Sequence, residues 1–318
     1  MKYSSMVNHK IAVVGASGFV GTYLTQFLRN HFTDVFEFSR NAGDRPKLSN
    51  IIEIGDILSR NDYTGMFEEI ETVVYTIGRA HVANEEHLDF ELIYKKINCD
   101  AMIRIAKAAQ SQGVKRFIFL SSLKAIGEGT SDRPFSNKSI PEPEGPYGKS
   151  KLMAEKALLD LSDSTGLEVV IIRPPLIHGP GVKGNLRSIQ LAIRKRVPLP
   201  LKCVSKNSRS LVSLENLSSL LKECVLNPAA KNNIFLVKDE HDLSTVEIVK
   251  MLAQEEDIKP LLIPFPESLL RLFFFLVGKP WLSHRLFNNL TVDDTYTRQI
   301  LDWSPTIRKN KKKILGPK

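Results

Sequence analysis

Cysteine is scarce in this sequence, and the three cysteines lie far apart. Cys99, Cys203 and Cys224 are odd in number and include no C-x-x-C pair, so the sequence predicts neither a disulfide framework nor a zinc site. The seven histidines are scattered as well, and none pairs with another at the spacing of metal ligands on a helix. We therefore expect a protein without a structural metal, in a reducing compartment.

Long apolar runs are absent too. The longest, Leu272–Val277, is about a third of a membrane span. Residues 1–10 are polar and lead directly into a strand, without the features of a secretory signal, so we expect a cytoplasmic protein with no helix that crosses a bilayer. The segment Leu269–Val277 contains three consecutive phenylalanines. It has two interpretations: a helix in the core of a small domain, which is the commoner case, or an amphipathic patch in weak contact with a membrane surface.

Cations outnumber carboxylates. Lys and Arg total 44 against 35 for Asp and Glu, a net charge of +9, and part of the excess lies in a basic tail, residues 308–318. Such a tail occurs in proteins that bind nucleic acid or anionic membranes. A solvated chain end is the commoner explanation, so no nucleic-acid partner is predicted. The remaining excess suits ligands that carry phosphates.

Short β-rich runs alternate with helical patterns in the first half of the chain, which is typical of βαβ units. With right-handed crossovers, this order predicts an α/β fold with a doubly wound parallel sheet. A late strand, Ile234–Val237, is expected to rejoin the sheet, and Thr245–Trp303 has a helical pattern with a short strand at Leu261–Ile263. The predicted strands of the first half are Lys10–Val14, Val35–Phe38, Ile51–Ile54, Thr72–Thr76, Phe117–Leu120 and Val169–Ile172, and the predicted helices are Tyr23–Arg29, Glu91–Gln112 and Lys149–Ser162.

A glycine-rich turn follows the first strand and opens a helix. Its glycines permit a tight turn and close approach of the backbone to a pyrophosphate, which the amides and the positive dipole end of the helix N-terminus bind. This context predicts a Rossmann-like dinucleotide site. The predicted cofactor-binding residues of the turn are Gly15, Ser17, Gly18, Phe19, Val20 and Gly21.

The second strand runs into Ser39 and Arg40, where an NAD site carries an acidic residue that reads the ribose. A hydroxyl and a guanidinium suit a 2′-phosphate, so NADP is favoured over NAD; a surface arginine is the alternative interpretation. After the third strand, Asp56 and Ile57 are expected at the adenine. The cofactor contacts also include two residues at the end of the fourth predicted strand, Thr76 and Gly78.

Tyr147 and Lys151 lie four residues apart in a predicted helix, about one turn, and therefore share a face. A lysine ammonium and an oxidised nicotinamide both favour the phenolate, so the pKa of Tyr147 is expected to fall towards neutrality. Such a tyrosine exchanges a proton with a carbinol oxygen while hydride moves to or from a nicotinamide. Ser122 stands at the carboxyl end of an earlier strand, where active sites of such sheets lie.

The pattern changes at Arg173, because the two prolines that follow remove strand hydrogen-bond donors. We therefore divide the chain into a dinucleotide-binding domain, residues 1–173, and a substrate domain, residues 174–307, followed by the basic tail. Residues around 209–245 are expected to return to the large sheet.

The glycine turn, the strand-end Ser122 and the Tyr147/Lys151 pair, in this order, resemble the extended short-chain dehydrogenase/reductase family over nearly the whole chain. The resemblance implies that Ser122 orients the substrate oxygen, that Tyr147 is the acid/base and that Lys151 holds the nicotinamide ribose. It also adds two cofactor-site residues, Asn98 and Pro174, and two contacts to a sugar-nucleotide diphosphate, Asn185 and Arg209. Ser213 and Glu215 depart from the family's usual residues in the segment after Arg209.

Three reactions share the first hydride step in this family. A 4,6-dehydratase needs carboxylates where this chain has Leu123 and Lys124, so dehydration is not expected. That leaves a 4-epimerase and a 4-keto reductase. The stretch Ser121–Glu128 and later segments resemble bacterial 4-keto reductases of O-antigen, hence lipopolysaccharide, synthesis, and the Ser39 and Arg40 pair favours turnover of NADPH.

The favoured hypothesis is therefore reduction of a UDP-2-acetamido-2,6-dideoxy-4-hexulose by NADPH. The alternatives are a 4-epimerase acting on a UDP-sugar or on a lipid-linked N-acetylhexosamine and, from another class, a non-catalytic NADP-binding sensor or assembly protein. The resemblance also implies a homodimer formed through the helices Glu91–Gln112 and Lys149–Ser162. His81 has two interpretations, a sugar contact or a solvent-facing loop residue.

Overall fold

A seven-stranded parallel sheet forms the centre of the protein. The computed structural model describes residues 6–41, 50–79, 90–131, 133–278 and 280–306. The strands are β1 (Val7–Val14), β2 (Phe32–Ser39), β3 (Ile51–Glu53), β4 (Thr72–Tyr75), β5 (Arg116–Leu120), β6 (Glu168–Arg173), β7 (Leu176–His178), β8 (Leu211–Ser213) and β9 (Asn233–Leu236). The large sheet has the order β3-β2-β1-β4-β5-β6-β9, with every pair parallel. The predicted doubly wound sheet is confirmed.

Helices cover both faces of this sheet. They are α1 (Phe19–Leu28), α2 (Phe90–Lys95), α3 (Ala101–Ser111), α4 (Pro146–Thr165), α5 (Gly184–Arg194), α6 (Leu214–Leu226), α7 (Thr245–Glu255), α8 (Glu267–Leu276), α9 (Pro280–Phe287) and α10 (Thr295–Leu301). Successive residues of β1 serve opposite faces: Ile11 and Val13 pack in the cluster with α1 and α6, while Ala12 and Val14 pack in the cluster with α3 and α4. Strands buried on both sides in this way explain the apolar runs in the sequence.

The strand order reverses at β1, which lies between β2 and β4. At such a switch point the connections leave to opposite sides, and a crevice opens outside the carboxyl ends of the strands. The glycine turn, the end of β4 and the end of β5 all meet there.

A second group of elements packs outside this crevice. β7 and β8 form a two-stranded parallel sheet that leads into this second group. α5, α7, α8 and α9 share an apolar cluster, here called the outer cluster, that includes Leu186, Ile193, Val249, Leu270 and Phe287. The chain then returns, because β9 pairs with β6 at the edge of the large sheet.

Three local expectations were wrong. The helix predicted over Glu91–Gln112 is interrupted by a π-helical turn, Lys96–Asp100, between α2 and α3. Leu261–Ile263 forms only a single bridge, between Leu262 and Leu199. The segment Leu269–Val277 is not a core helix: most of its apolar side chains are exposed.

Membrane-spanning helices and metal-ligand clusters are both absent from the described residues. No helix among them combines the length and the apolar character needed to cross a bilayer. No group of His, Cys, Asp and Glu side chains in the same ranges could hold a metal ion.

Candidate active site

A cavity of about 1020 Å³ occupies the crevice between the carboxyl ends of the sheet and the outer cluster. This volume lies at the upper end of the range of about 300–1,000 Å³ that small-molecule sites span, so the cavity is large enough for a dinucleotide and a second ligand. Of the predicted site residues, those that line it are Gly15, Ser17, Gly18, Phe19, Val20, Arg40, Ile57, Thr76, Gly78, Ser122, Tyr147, Lys151, Pro174, Asn185 and Arg209.

The glycine turn is shaped by close backbone approach. Gly15 has a φ of +94°, and a Cβ placed there would lie 2.8 Å from the side chains of Thr76 and Ile77. A Cβ at Gly21 would lie 2.1 Å from the carbonyl oxygen of Gly15, so Gly21 packs α1 against the turn and does not line the cavity. Gly18 is the N-cap of α1, whose first amides therefore face the cavity and suit a pyrophosphate. The turn fits a dinucleotide.

The predicted ribose and adenine contacts are only partly brought to the cavity. Arg40 is exposed and lines it, but Ser39 is buried and its hydroxyl donates to the carbonyl oxygen of Asn41 at 3.0 Å. Ile57 lines the cavity, whereas Asp56 is exposed, lies outside the lining and accepts from the amide of Leu58 at 3.1 Å. Of the two groups expected to bind a 2′-phosphate, only the guanidinium of Arg40 is available at the cavity.

Ser122 and Tyr147 meet in the cavity from different elements. Ser122 follows β5 in extended conformation and caps a short 3₁₀ turn, its hydroxyl accepting from the amide of Lys124 at 3.2 Å. Tyr147 lies in the first turn of α4, which begins with Pro146. Burial raises the pKa of Tyr147 to about 12, and a hydrogen bond with Ser122 acts in the opposite direction.

Lys151 is fully buried one turn further along α4. Its ammonium donates to the carbonyl oxygen of Leu120 at 2.9 Å and lies 4.5 Å from the ring centre of Phe119. Burial lowers the pKa of Lys151 to about 7, against the opposing charge of Glu155. In the protein without nicotinamide, desolvation dominates at both groups. The expectation that Lys151 and an oxidised nicotinamide together lower the pKa of Tyr147 stays a prediction.

Asn98 supports the site from outside the cavity lining. The π-helical turn carries it to a position of zero exposure, where its Oδ1 accepts from the amide of Arg79 at 2.9 Å and its Nδ2 donates to the hydroxyl of Ser150 at 2.9 Å. π-Helical turns recur at functional sites. Asn98 therefore links the backbone after β4 to Ser150 of α4, which lies between Tyr147 and Lys151 in the sequence.

A buried ion pair lies directly behind the catalytic candidates. Glu155 accepts from Arg173 Nη2 at 2.6 Å and Nε at 3.0 Å, and from the hydroxyl of Ser121. Both charged residues are at most 4% exposed. This network joins α4 to the ends of β5 and β6, so it fixes Ser122 and Lys151 relative to each other.

Cations face the other side of the cavity. Arg209 and Arg285 both line the cavity. The sequence predicts Arg209 as a diphosphate contact but gives no signal for Arg285, which lies on α9. Arg209 donates to the carbonyl oxygen of Asn288 at 3.0 Å, and burial, followed by the charge of Arg285, lowers the pKa of Arg209 to about 10. Asn185 and Lys183 approach from the start of α5. These groups suit an anionic diphosphate.

One ion pair in the cavity was missed by the sequence analysis. Lys124 Nζ lies 2.8 Å from Glu128 Oε1 and 2.7 Å from Oε2, and both residues line the cavity beside Ser122 and Tyr147. The charge of Glu128 contributes to raising the pKa of Tyr147. The i, i+4 spacing of opposite charges after a strand-end serine is the signal that identifies such a pair.

Some predictions fall outside the described residues. His81 and the basic tail, residues 308–318, lie there.

Comparisons with known proteins agree with this geometry. The NAD dependent epimerase/dehydratase family matches residues 11–217. The chain is 38% identical over 296 residues, 93% of this chain and 90% of the relative, to a UDP-glucose 4-epimerase of Vibrio cholerae. It is 25% identical to N-acetyl-alpha-D-glucosaminyl-diphospho-ditrans,octacis-undecaprenol 4-epimerase of Escherichia coli O157:H7, covering 83% of this chain and 78% of that one.

Among solved structures, MoeE5 in complex with UDP-glucuronic acid and NAD has the same fold. Its TM-score is 0.75 at 21% identity, over 94% of each chain. The family match and the Vibrio cholerae relative, taken with the glycine turn and the Tyr147 and Lys151 pair, establish that this chain belongs to the NAD-dependent epimerase/dehydratase family of short-chain dehydrogenases.

Proposed function

We propose that the protein is an NAD-dependent UDP-hexose 4-epimerase that interconverts UDP-glucose and UDP-galactose. The observation that carries the proposal is the convergence of Ser122, Tyr147 and Lys151 in the cavity that the glycine turn also lines. The relative that shares 38% identity with this chain is a UDP-glucose 4-epimerase. MoeE5, with which the chain shares its fold, binds NAD and UDP-glucuronic acid.

The glycine turn and the first amides of α1 would hold NAD, whose nicotinamide would accept hydride from C4 of the sugar and return it to the opposite face. Tyr147 takes the proton of the 4-hydroxyl as hydride leaves and gives it back as hydride returns. The hydroxyl of Ser122, which is hydrogen-bonded to Tyr147, orients the same sugar oxygen. Arg209 and Arg285 neutralise the diphosphate and hold it while the sugar ring turns.

Dehydration is not part of this proposal. Leu123 is buried, at 1% exposure, and Lys124 is paired with Glu128, so neither position offers a carboxylate to remove a proton next to the carbonyl. The site supports one hydride transfer and its reversal.

An NADPH-dependent 4-keto reductase, favoured by the sequence analysis, is the second candidate. Arg40 lines the cavity and suits a 2′-phosphate. The support for this candidate is weaker, since Ser39 faces away and the named relatives are epimerases.

We expect the purified protein to release NAD on acid denaturation and to interconvert UDP-glucose and UDP-galactose without net change at the reduced-nicotinamide absorbance band. Stoichiometric loss of NADPH with a UDP-4-keto-6-deoxy-N-acetylhexosamine, and no epimerisation, would establish the reductase. Nucleotide binding without either reaction would revive the non-catalytic alternative.

Glu128→Gln is expected to shift the acid limb of the kcat/KM profile to lower pH. The carboxylate of Glu128 disfavours a negative charge on Tyr147, so its removal lowers the pKa of Tyr147 and makes the phenolate available at lower pH. The measurement is the rate of UDP-glucose epimerisation between about pH 5 and pH 9. Glu68→Gln, outside the cavity, serves as the matched control, and an unchanged or upward-shifted limb in Glu128→Gln contradicts the argument.

A further inference from the structure

Helix α8 turns its apolar side chains outward. Leu269, Leu272, Phe273 and Leu276 have the i, i+3, i+4, i+7 spacing of one helix face and are between 51% and 73% exposed. The other side of the helix contacts the protein through Leu270, which is 5% exposed. An outward face of this composition is what a helix lying in a membrane interface presents.

The inner contacts fix this orientation. Leu270 belongs to the outer cluster, and Phe274 packs against it. Arg271 donates to Glu267 at 2.7 Å and 2.9 Å, and its guanidinium lies 4.5 Å from the ring centre of Phe287 on α9. The outward side chains are therefore held on a structured helix.

The apolar surface continues into the residues before α8. Leu261 and Ile263 are 46% and 43% exposed. Backbone hydrogen bonds hold this segment against residue 199: the amide of Leu199 donates to the carbonyl oxygen of Leu261 at 2.8 Å, and the amide of Ile263 donates to the carbonyl oxygen of Leu199 at 3.0 Å. We call the exposed residues Leu261, Ile263, Leu269, Leu272, Phe273, Phe275, Leu276 and Val277 the α8 surface.

The chain beside the α8 surface is strongly basic. Residues 183–209 contain eight Lys or Arg and no Asp or Glu. Lys195 and Lys202 are exposed, and the amide of Lys202 donates to Ile263 at 3.3 Å. Within the described ranges, neither ammonium forms an ion pair, whereas Arg194 binds Glu256 at 2.8 Å.

We infer that the α8 surface and the cations of residues 195–202 dock the protein on an anionic phospholipid bilayer. Apolar side chains enter the boundary between head groups and acyl chains, and neighbouring lysines and arginines bind anionic head groups. Charge complementarity selects this partner: exposed apolar side chains next to the segment 195–202, which has cations and no carboxylate, suit a surface that is apolar inside and negative outside.

Docking here leaves the cavity close to the membrane. α8 packs on α9, and α9 lines the cavity through Leu282, Arg285 and Leu286. The inference goes beyond the proposed reaction and does not depend on it, because binding to a bilayer is measured without turnover.

The test is flotation of the full chain with lipid vesicles. We expect binding to vesicles of phosphatidylcholine with phosphatidylglycerol and little binding to phosphatidylcholine alone. Phe273→Ser with Phe275→Ser, and separately Lys195→Glu with Lys202→Glu, are each expected to lower the partition coefficient by at least about tenfold. All four residues lie outside the cavity lining, so epimerisation of UDP-glucose is expected to be unchanged, which also reports that the variants are folded.

Matched controls come from the amino-terminal ends of the strands, opposite the cavity. Leu226→Ser and Lys115→Glu alter an exposed leucine and an exposed lysine near the amino-terminal end of β5, and both are expected to bind vesicles like the wild type. Failure of the wild type to float with anionic vesicles overturns the inference, as does undiminished binding of the variants. If light scattering shows that the Phe273→Ser, Phe275→Ser variant dissociates a dimer, the α8 surface is an interface between copies of this chain and the inference is wrong.

Discussion

Tyr147→Phe is expected to lower kcat for UDP-glucose epimerisation by about 10²–10⁴-fold, the range of a positioned general acid/base. In the proposed reaction, the substitution removes the oxygen that takes and returns the proton of the 4-hydroxyl. It keeps the ring, which packs edge-on against Tyr94 with 6.1 Å between ring centres. The amount of NAD bound per chain is expected to stay the same, because the proposed pyrophosphate site is the glycine turn, which the substitution does not touch.

Tyr296→Phe provides the matched control for this loss. Its hydroxyl donates to Asn233 Oδ1 at 2.6 Å, at the far edge of the sheet, and its removal is expected to leave kcat unchanged. A Tyr147→Phe enzyme within about twofold of wild type, where an effect of about 10²-fold or more is expected, would exclude Tyr147 as the acid/base. Loss of bound NAD with the activity would point to a positioning role.

Glu155→Ala is expected to lower the free energy of unfolding by about 3–5 kcal/mol, the cost of leaving one charge of a buried pair without its partner. Arg173 is 4% exposed, and its guanidinium would lose the carboxylate that accepts from Nε and Nη2. The hydroxyl of Ser121 would lose the same acceptor. The measurement is equilibrium unfolding in urea of the purified protein.

Two comparisons separate the buried charge from ordinary side-chain loss. Glu155→Leu combined with Arg173→Leu is expected to recover much of the stability, because an apolar pair of similar volume carries no desolvation cost. Glu256→Ala breaks the exposed pair with Arg194 and is expected to cost no more than about 1 kcal/mol. Equal losses in Glu155→Ala and Glu256→Ala would contradict the argument.

The sheet and the centre of the site could be predicted from the sequence because their signals are local. A left-handed φ and nearby side chains require glycine at Gly15, and close backbone contact requires it at Gly21. Ser122 follows a buried strand, and one helical turn sets the spacing of Tyr147 and Lys151. Periodicity and short spacings carry this information without knowledge of the tertiary structure.

The remaining features depend on contacts between distant parts of the chain. Ser39 faces inward because its hydroxyl is taken by the loop that follows it. Glu155 and Arg173 meet only when α4 packs on β6. Burial raises the pKa of Tyr147, an effect that depends on the packed structure and not on the spacing of Tyr147 and Lys151. The sequence of α8 shows its apolar residues, but periodicity alone does not predict which face of the helix packs against the protein and which is exposed.

β9 comes late in the sequence, and this position affects the order in which the fold forms during synthesis. The strands from β1 to β6 leave the ribosome first, yet the outer edge of β6 gains its partner only when Asn233–Leu236 has been made. Until then the nascent chain carries an open strand edge, the feature through which chains add to one another. Arg209 precedes β9 in the sequence and lines the cavity. The large sheet is therefore completed, and this cation reaches the cavity, in the same late stage of chain growth.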